Sequence, residues 1–225
     1  MLGKILRIVA IVLLGLTAVF SLLGGIGSTC VAFAAENWQS MAAIVPFKWL
    51  YMIYVVLTIA ASLYALRATV NLVRNRPGAY RQALIAILTC LFLATAQVIT
   101  SRLLRGKSMP NDLRVYVSFL ALVIFLLLRI PGIWQQSGLG RPDAGGSAGL
   151  AAGTALFVSG MTVLTVHLWA GPTHTFGGVN LADVWHVQLA ILGWGLIGGS
   201  LLAFGRGLRR SAGTEKRQQI AAAKL

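Results

Sequence analysis

Acidic side chains are almost missing from this chain: Glu36, Asp112, Asp143, Asp183 and Glu215 are the whole set among 225 residues, against 19 lysines and arginines. None of the five falls inside an apolar run, so the buried carboxylate that a proton or cation relay across a bilayer ordinarily uses is lacking. A cation-coupled transporter is disfavoured. Cysteine is as scarce. Cys30 and Cys90 permit one disulfide at most, and with one in a connection and the other in mid-span they should differ in depth by about half a membrane, too far to pair. No Cys-x-x-Cys occurs, which removes zinc-ribbon and thioredoxin chemistry. No GxxxxGK[ST] loop and no nucleophile elbow are present, which argues against nucleotide-driven work and Ser-His-Asp hydrolysis.

What is present is apolar. The chain is 57% hydrophobic and 11% charged, with a mean hydropathy of +0.80, far from a soluble domain. Six apolar stretches, near residues 5–27, 44–66, 82–102, 113–130, 149–170 and 184–204, are each long enough to cross a hydrocarbon core of about 30 Å as a helix. They lack the alternation of barrel strands, and lipid leaves no other way to satisfy the backbone. The expected fold is an all-α integral membrane protein: a six-transmembrane-helix bundle over residues 1–205, followed by a basic cytoplasmic tail over 206–225. No internal repeat stands out.

Lysine and arginine set the expected orientation, because cytoplasmic connections collect them. Lys4 and Arg7 precede the first span; Arg67, Arg74, Arg76 and Arg81 surround the second connection; Arg129 and Arg141 the fourth; and Arg206, Arg209, Arg210, Lys216, Arg217 and Lys224 follow the last span. Both termini are then cytoplasmic, and the membrane expected is a prokaryotic cytoplasmic one. One connection breaks the rule. Arg102, Arg105, Lys107 and Arg114 bracket SRLLRGKSMPNDLR, which six spans put outside. The first span has a basic start and a small-x-small AFA at 32–34, as a signal peptide would, but its apolar run is longer than a signal core. A retained helix is expected, with a cleaved five-span form as the alternative.

The formal net charge of +14 sits mostly at span ends, where topology and anionic lipid explain it. No nucleic-acid fold accompanies it, so nucleic acid is not an expected partner. Membrane lipids are, together with other subunits of a complex or a second copy.

All three histidines fall in HLWAGPTHTFGGVNLADVWH, residues 167–186. His167 lies near the end of the fifth expected span and His186 near the start of the sixth, so a short turn puts both at similar depth. Seven residues inward from each, about two helical turns, lie Gly160 and Gly193. An imidazole from each of two helices, with little side chain below it, is what a haem b ring needs, and Arg102, Arg105 or Lys107 could then meet its propionates. A second option uses His167, His174, His186 and Asp183 to hold zinc or copper. A third assumes no cofactor: the histidines join Trp169 and Trp185 in an interfacial belt, and the GxxxG pairs Gly149/Gly153 and Gly195/Gly199 simply pack helices.

Other polar groups at membrane depth are few. Lys48, near Tyr51 and Tyr54, is placed to snorkel; Gln97 and Gln188 read as interhelical glue; and Gln97, Thr100 and Ser101 with Arg102 could line a polar pocket in the outer half. The run HVQLAILGWGLIGG, with its histidine ahead of a Gly-Trp pair, resembles helices of haem-copper oxidase-like proteins. The resemblance covers one helix, and it transfers no residue or activity to this chain. Three functions follow: a b-type haem subunit in electron transfer, an accessory subunit of a membrane complex, or a carrier or channel for a small solute or anion. No complete catalytic motif marks an enzyme.

Overall fold

The computed structural model describes residues 2–37, 39–108, 111–139, 147–171, 175–176 and 178–222. Apart from one two-residue antiparallel hairpin, Thr175–Phe176 with Val179–Asn180, the regular elements described are helical. They are α1 (Leu2–Gly27), α2 (Thr29–Ala34), two 3₁₀ segments (Ala35–Asn37 and Gln39–Phe47), α3 (Lys48–Val73), α4 (Ala79–Arg105), α5 (Asp112–Leu128), α6 (Pro131–Ser137), α7 (Ser147–Leu164), α8 (Val166–Trp169), α9 (Leu181–Val184) and α10 (His186–Ala222).

The boundaries follow from local chemistry. Glycine brackets α4 on both sides, Gly78 at φ 73° and Gly106 at φ 68°, where a side chain would be strained. Pro131 cannot donate to the last turn of α5 and holds Ile130 extended, so the chain turns and α6 runs at 98° to α5.

α1 is the central helix and packs against α3, α4, α5, α6 and α7. It can approach closely because small residues meet its neighbours: a Cβ on Gly3 would lie 2.5 Å from the Ile133 carbonyl oxygen of α6, and one on Gly25 would lie 3.0 Å from Ile59 of α3. The main core combines Ile11 and Leu14 of α1 with Ala65 and Ala68 of α3, Ala83, Ala86 and Ile87 of α4, and Ala121 and Phe125 of α5. Alanine is frequent there for the same reason. At one end of the bundle the segment 28–47 folds over as a cap, burying Val31, Ala32, Ala35, Met41 and Ile44 against Tyr51 and Val55. We call this the capped end. The other, the basic end, holds the start of α1, the α3–α4 turn and α6.

α7 leans on α1, and α10 lies along α7 with most of its own surface open: Val187, Ile191, Trp194, Leu201 and Leu202 are exposed, as on a lipid-facing helix. By length and hydropathy four of the described helical segments can cross a membrane (Leu2–Asn37, Met41–Val73, Ala79–Arg105 and His186–Arg209), and a fifth if bent α5 and α6 count as one span. The expectation of six is thus met only as a helical bundle with four to five such spans. The fourth stretch is broken by the bend at Pro131, and the fifth ends at Leu164, where α8 starts a new short turn. The division expected at residue 205 falls inside α10, which continues to Ala222.

Candidate functional site: a buried guanidinium among four helices

The histidine region comes first because the sequence pointed there. His186 opens α10, exposed, with Nδ1 2.8 Å from the Asp183 carbonyl oxygen. His167 lies on α8 and is also exposed, as is Asp183. His174 lies outside the described residues. Among the described residues no three His, Cys, Asp or Glu side chains gather closely enough to hold a metal ion. Trp169, expected in an aromatic belt, instead donates from Nε1 to the Thr162 carbonyl oxygen (3.3 Å) and packs at 5.4 Å on the Phe20 ring.

The two glycines below the histidines do meet, but they meet each other. A Cβ on Gly160 would stand 2.8 Å from the Gly193 carbonyl oxygen, and one on Gly193 would stand 2.6 Å from Cγ of Leu164 and 3.2 Å from the Gly160 carbonyl oxygen. Further along, a Cβ on Gly149 would lie 2.5 Å from Cα of Gly207, and one on Gly153 2.6 Å from the Phe204 ring. The space a haem ring needs beside Gly160 and Gly193 is taken by the facing helix, so these residues do not fit a macrocycle. Arg102 and Arg105 stand elsewhere, on α4, whose main neighbours are α1, α3 and α5. Arg102 donates to Ser108 Oγ (2.9 Å) and Asp112 Oδ1 (3.1 Å), and Arg105 reaches Met41 Sδ at 3.4 Å.

A different constellation occupies the bundle interior near the capped end. Arg114 sits in the first turn of α5 and is only 2% exposed. Its Nη1 donates to Gln97 Oε1 (2.7 Å) of α4 and to Asn111 Oδ1 (3.4 Å), and its Nη2 donates to Thr58 Oγ1 (3.3 Å) of α3. Gln97 in turn donates from Nε2 to Ser28 Oγ (2.7 Å), whose own proton goes to the Gly24 carbonyl oxygen (2.7 Å) at the end of α1. Gly24 makes the room: a Cβ there would fall 2.5 Å from Cδ of Arg114. Four helices therefore converge on one cation.

Every acceptor it has is neutral. No carboxylate among the described residues pairs with Arg114; the nearest in sequence, Asp112, accepts from Arg102 and Ser108 instead. Arg114 Nε is buried without a partner, and so is the hydroxyl of Ser118, one turn further along α5. Ser21 and Cys90 lie alongside. Toward the cap, Tyr54 with Thr100 (2.9 Å) and Tyr51 with Ser101 (2.8 Å) extend the polar column. A charge taken out of water costs several kcal/mol unless oppositely charged or well-placed groups offset it. Here only neutral oxygens do so, and one N–H is left over.

The pocket of Gln97, Thr100 and Ser101 expected from the sequence is therefore real as a polar cluster, with Arg114 in the place assigned to Arg102. The signal was available in part. A glutamine seventeen residues before an arginine across a tight connection brings both to one level of an antiparallel helix pair. What defines the class is a helical bundle, apolar enough to cross a membrane, with one uncompensated guanidinium inside it. Among known proteins the chain matches no family model, no curated protein and no solved structure, so its functional reading rests on its own residues.

Proposed function

We propose that this chain is a multi-pass membrane protein that binds a small anion inside the bundle at Arg114 and serves as a carrier or channel for it. The observation that carries the reading is the 2% exposed guanidinium with neutral partners and a spare Nε–H. An ionisable group at membrane depth marks a functional site by default, and its partner is normally a counter-charge. A singly charged anion at Nε and Ser118 Oγ would supply both the missing charge and the missing acceptor. Anions of higher charge would reverse the imbalance rather than cancel it.

A path is supported on both sides of Arg114. The tyrosine–hydroxyl pairs lead toward the cap, and buried Ser62, Thr69 and the Asn71–Gln82 pair (2.7 Å) carry polar groups toward the basic end. With α7 as a further, shorter span, the chain has six crossings, both termini on the cytoplasmic side of a prokaryotic cytoplasmic membrane, and the capped end outside; the lysine and arginine distribution favours this orientation. The haem and metal readings gain no support from the exposed histidines or the closed glycine contact.

The test is flux through proteoliposomes holding the purified chain, read with chloride, nitrate, formate and bicarbonate. Wild type passes at least one of them, Arg114→Gln slows it at least tenfold, and Arg102→Gln leaves it near wild type. Arg114→Lys keeps the charge without the fork of donors and should fall between. Equal flux in Arg114→Gln, checked for folding by gel filtration, overturns the assignment; absence of flux with all four anions in wild type overturns the carrier role.

A further inference from the structure

The basic end of the bundle holds a cavity of about 220 Å³ between the α3–α4 turn, the first turn of α4 and α6. This is an order of magnitude more than the roughly 10–15 Å³ a single water needs. Its inner wall is apolar: Leu72, Ala79 and Leu139 are buried there, and the Trp134 ring closes one side. Arg76 and Arg81 line it as well, and both are exposed. A third cation stands beside it. The Arg129 guanidinium lies 5.8 Å from the Tyr80 ring centre and 5.9 Å from the Trp134 ring centre, and both rings line the cavity. The two rings are themselves edge to face at 5.1 Å, and Tyr80 donates to the Phe125 carbonyl oxygen (2.7 Å), so that wall is fixed. No carboxylate among the described residues pairs with any of the three arginines.

We infer that this cavity is a binding site for the headgroup and glycerol of an anionic phospholipid. Three guanidinium groups with no acid among them call for a phosphate diester, which arginine holds through paired N–H donors. The apolar wall calls for the first carbons of an esterified glycerol, which free phosphate lacks. The place is right as well: the cavity opens where α3 and α4 end, level with α6, which turns 98° away from α5 and presents an interfacial tryptophan. Basic pockets between helix ends are recognised lipid-headgroup sites on physical grounds. This site lies at the opposite end of the bundle from Arg114 and does not depend on the reading given to it.

The experiment uses the full chain, delipidated in a neutral detergent, and follows thermal unfolding and native mass spectrometry as lipid is added. Phosphatidylglycerol should raise the melting temperature and stay bound, whereas phosphatidylcholine and glycerol 3-phosphate should not. Arg76→Gln/Arg81→Gln should weaken apparent affinity for phosphatidylglycerol at least fivefold, and Arg129→Gln, which leaves the cavity wall intact, should do so independently. Arg67→Gln/Arg206→Gln removes two exposed cations outside the cavity lining and should leave affinity unchanged. Equal loss in that control would show a diffuse charge effect and overturn the site. Equal binding of phosphatidylcholine, or of glycerol 3-phosphate, would overturn its anionic or its lipid character.

Discussion

The contact between α7 and α10 can be tested by adding single methyl groups. In Gly149→Ala the new carbon would start 2.5 Å from Cα of Gly207 and 2.8 Å from the Ala203 carbonyl oxygen; in Gly160→Ala it would start 2.8 Å from the Gly193 carbonyl oxygen. These are backbone atoms, so no side-chain rotation relieves the clash. Carbon contacts settle near 3.5–4.0 Å, so the helices must part by about 1 Å, which forfeits roughly a quarter to a half of each contact along the seam. Overpacking of this kind costs about 1–3 kcal/mol, against which alanine recovers about 0.5–1 kcal/mol of helix propensity. Each variant should lose about 1–2 kcal/mol. Gly195→Ala and Gly198→Ala, on the same helix but with no atom within 4 Å, should gain about 0.5–1 kcal/mol instead. The assay is reversible unfolding in mixed micelles with increasing sodium dodecyl sulfate. If Gly160→Ala stabilises as Gly195→Ala does, the seam is not closed at Gly160, and the slot that a haem ring would use is open after all.

Further outcomes follow from the buried cluster. Gln97→Leu strips a charged donor of its best acceptor and should destabilise by roughly 3–5 kcal/mol, as breaking a buried charge interaction does. Gln97→Glu places a carboxylate against Arg114, so it should abolish anion-dependent stabilisation while the chain remains folded. Asp112→Asn weakens an ion pair whose arginine side chain is 58% exposed, and calorimetry should show a change under about 1 kcal/mol. The double variant His167→Ala/His186→Ala should leave anion binding and unfolding close to wild type, and reduced-minus-oxidised spectra of both proteins should show no Soret band.

Long apolar runs made α1, α3, α4 and α10 legible, because twenty apolar residues have one solution in lipid. α5 was legible as apolar, but its end was not: Pro131 was visible, yet only the fold shows that the chain turns there through 98° rather than continuing. The cap over residues 28–47 was hidden for another reason. It reads as a connection containing Pro46, and its order comes from tertiary contacts, including Lys48, which was expected to snorkel but donates to Glu36 (2.8 Å) and the Phe33 carbonyl oxygen (3.1 Å). The glycines of α7 and α10 were seen, and two uses were open; backbone distances decide for packing. Arg114 was misread because an arginine at a helix start normally reaches water. Asp112 and Arg114 are two residues apart, hence about 200° apart around a helix, and periodicity alone does not say which of them faces inward. Gly24, ninety residues earlier, supplies the room that lets the arginine do so.

The central claim is that an anion completes the charge at Arg114, and the most direct measurement is equilibrium unfolding across a series of monovalent anions at constant ionic strength. A ligand that binds only the folded state stabilises it by about 2.7 kcal/mol at a hundred times its Kd. Wild type should show such a rise for at least one small anion, saturating with concentration, and Arg114→Gln and Gln97→Glu should show none. The same rise in wild type and in both variants, or a flat response of wild type to every anion, would contradict the account.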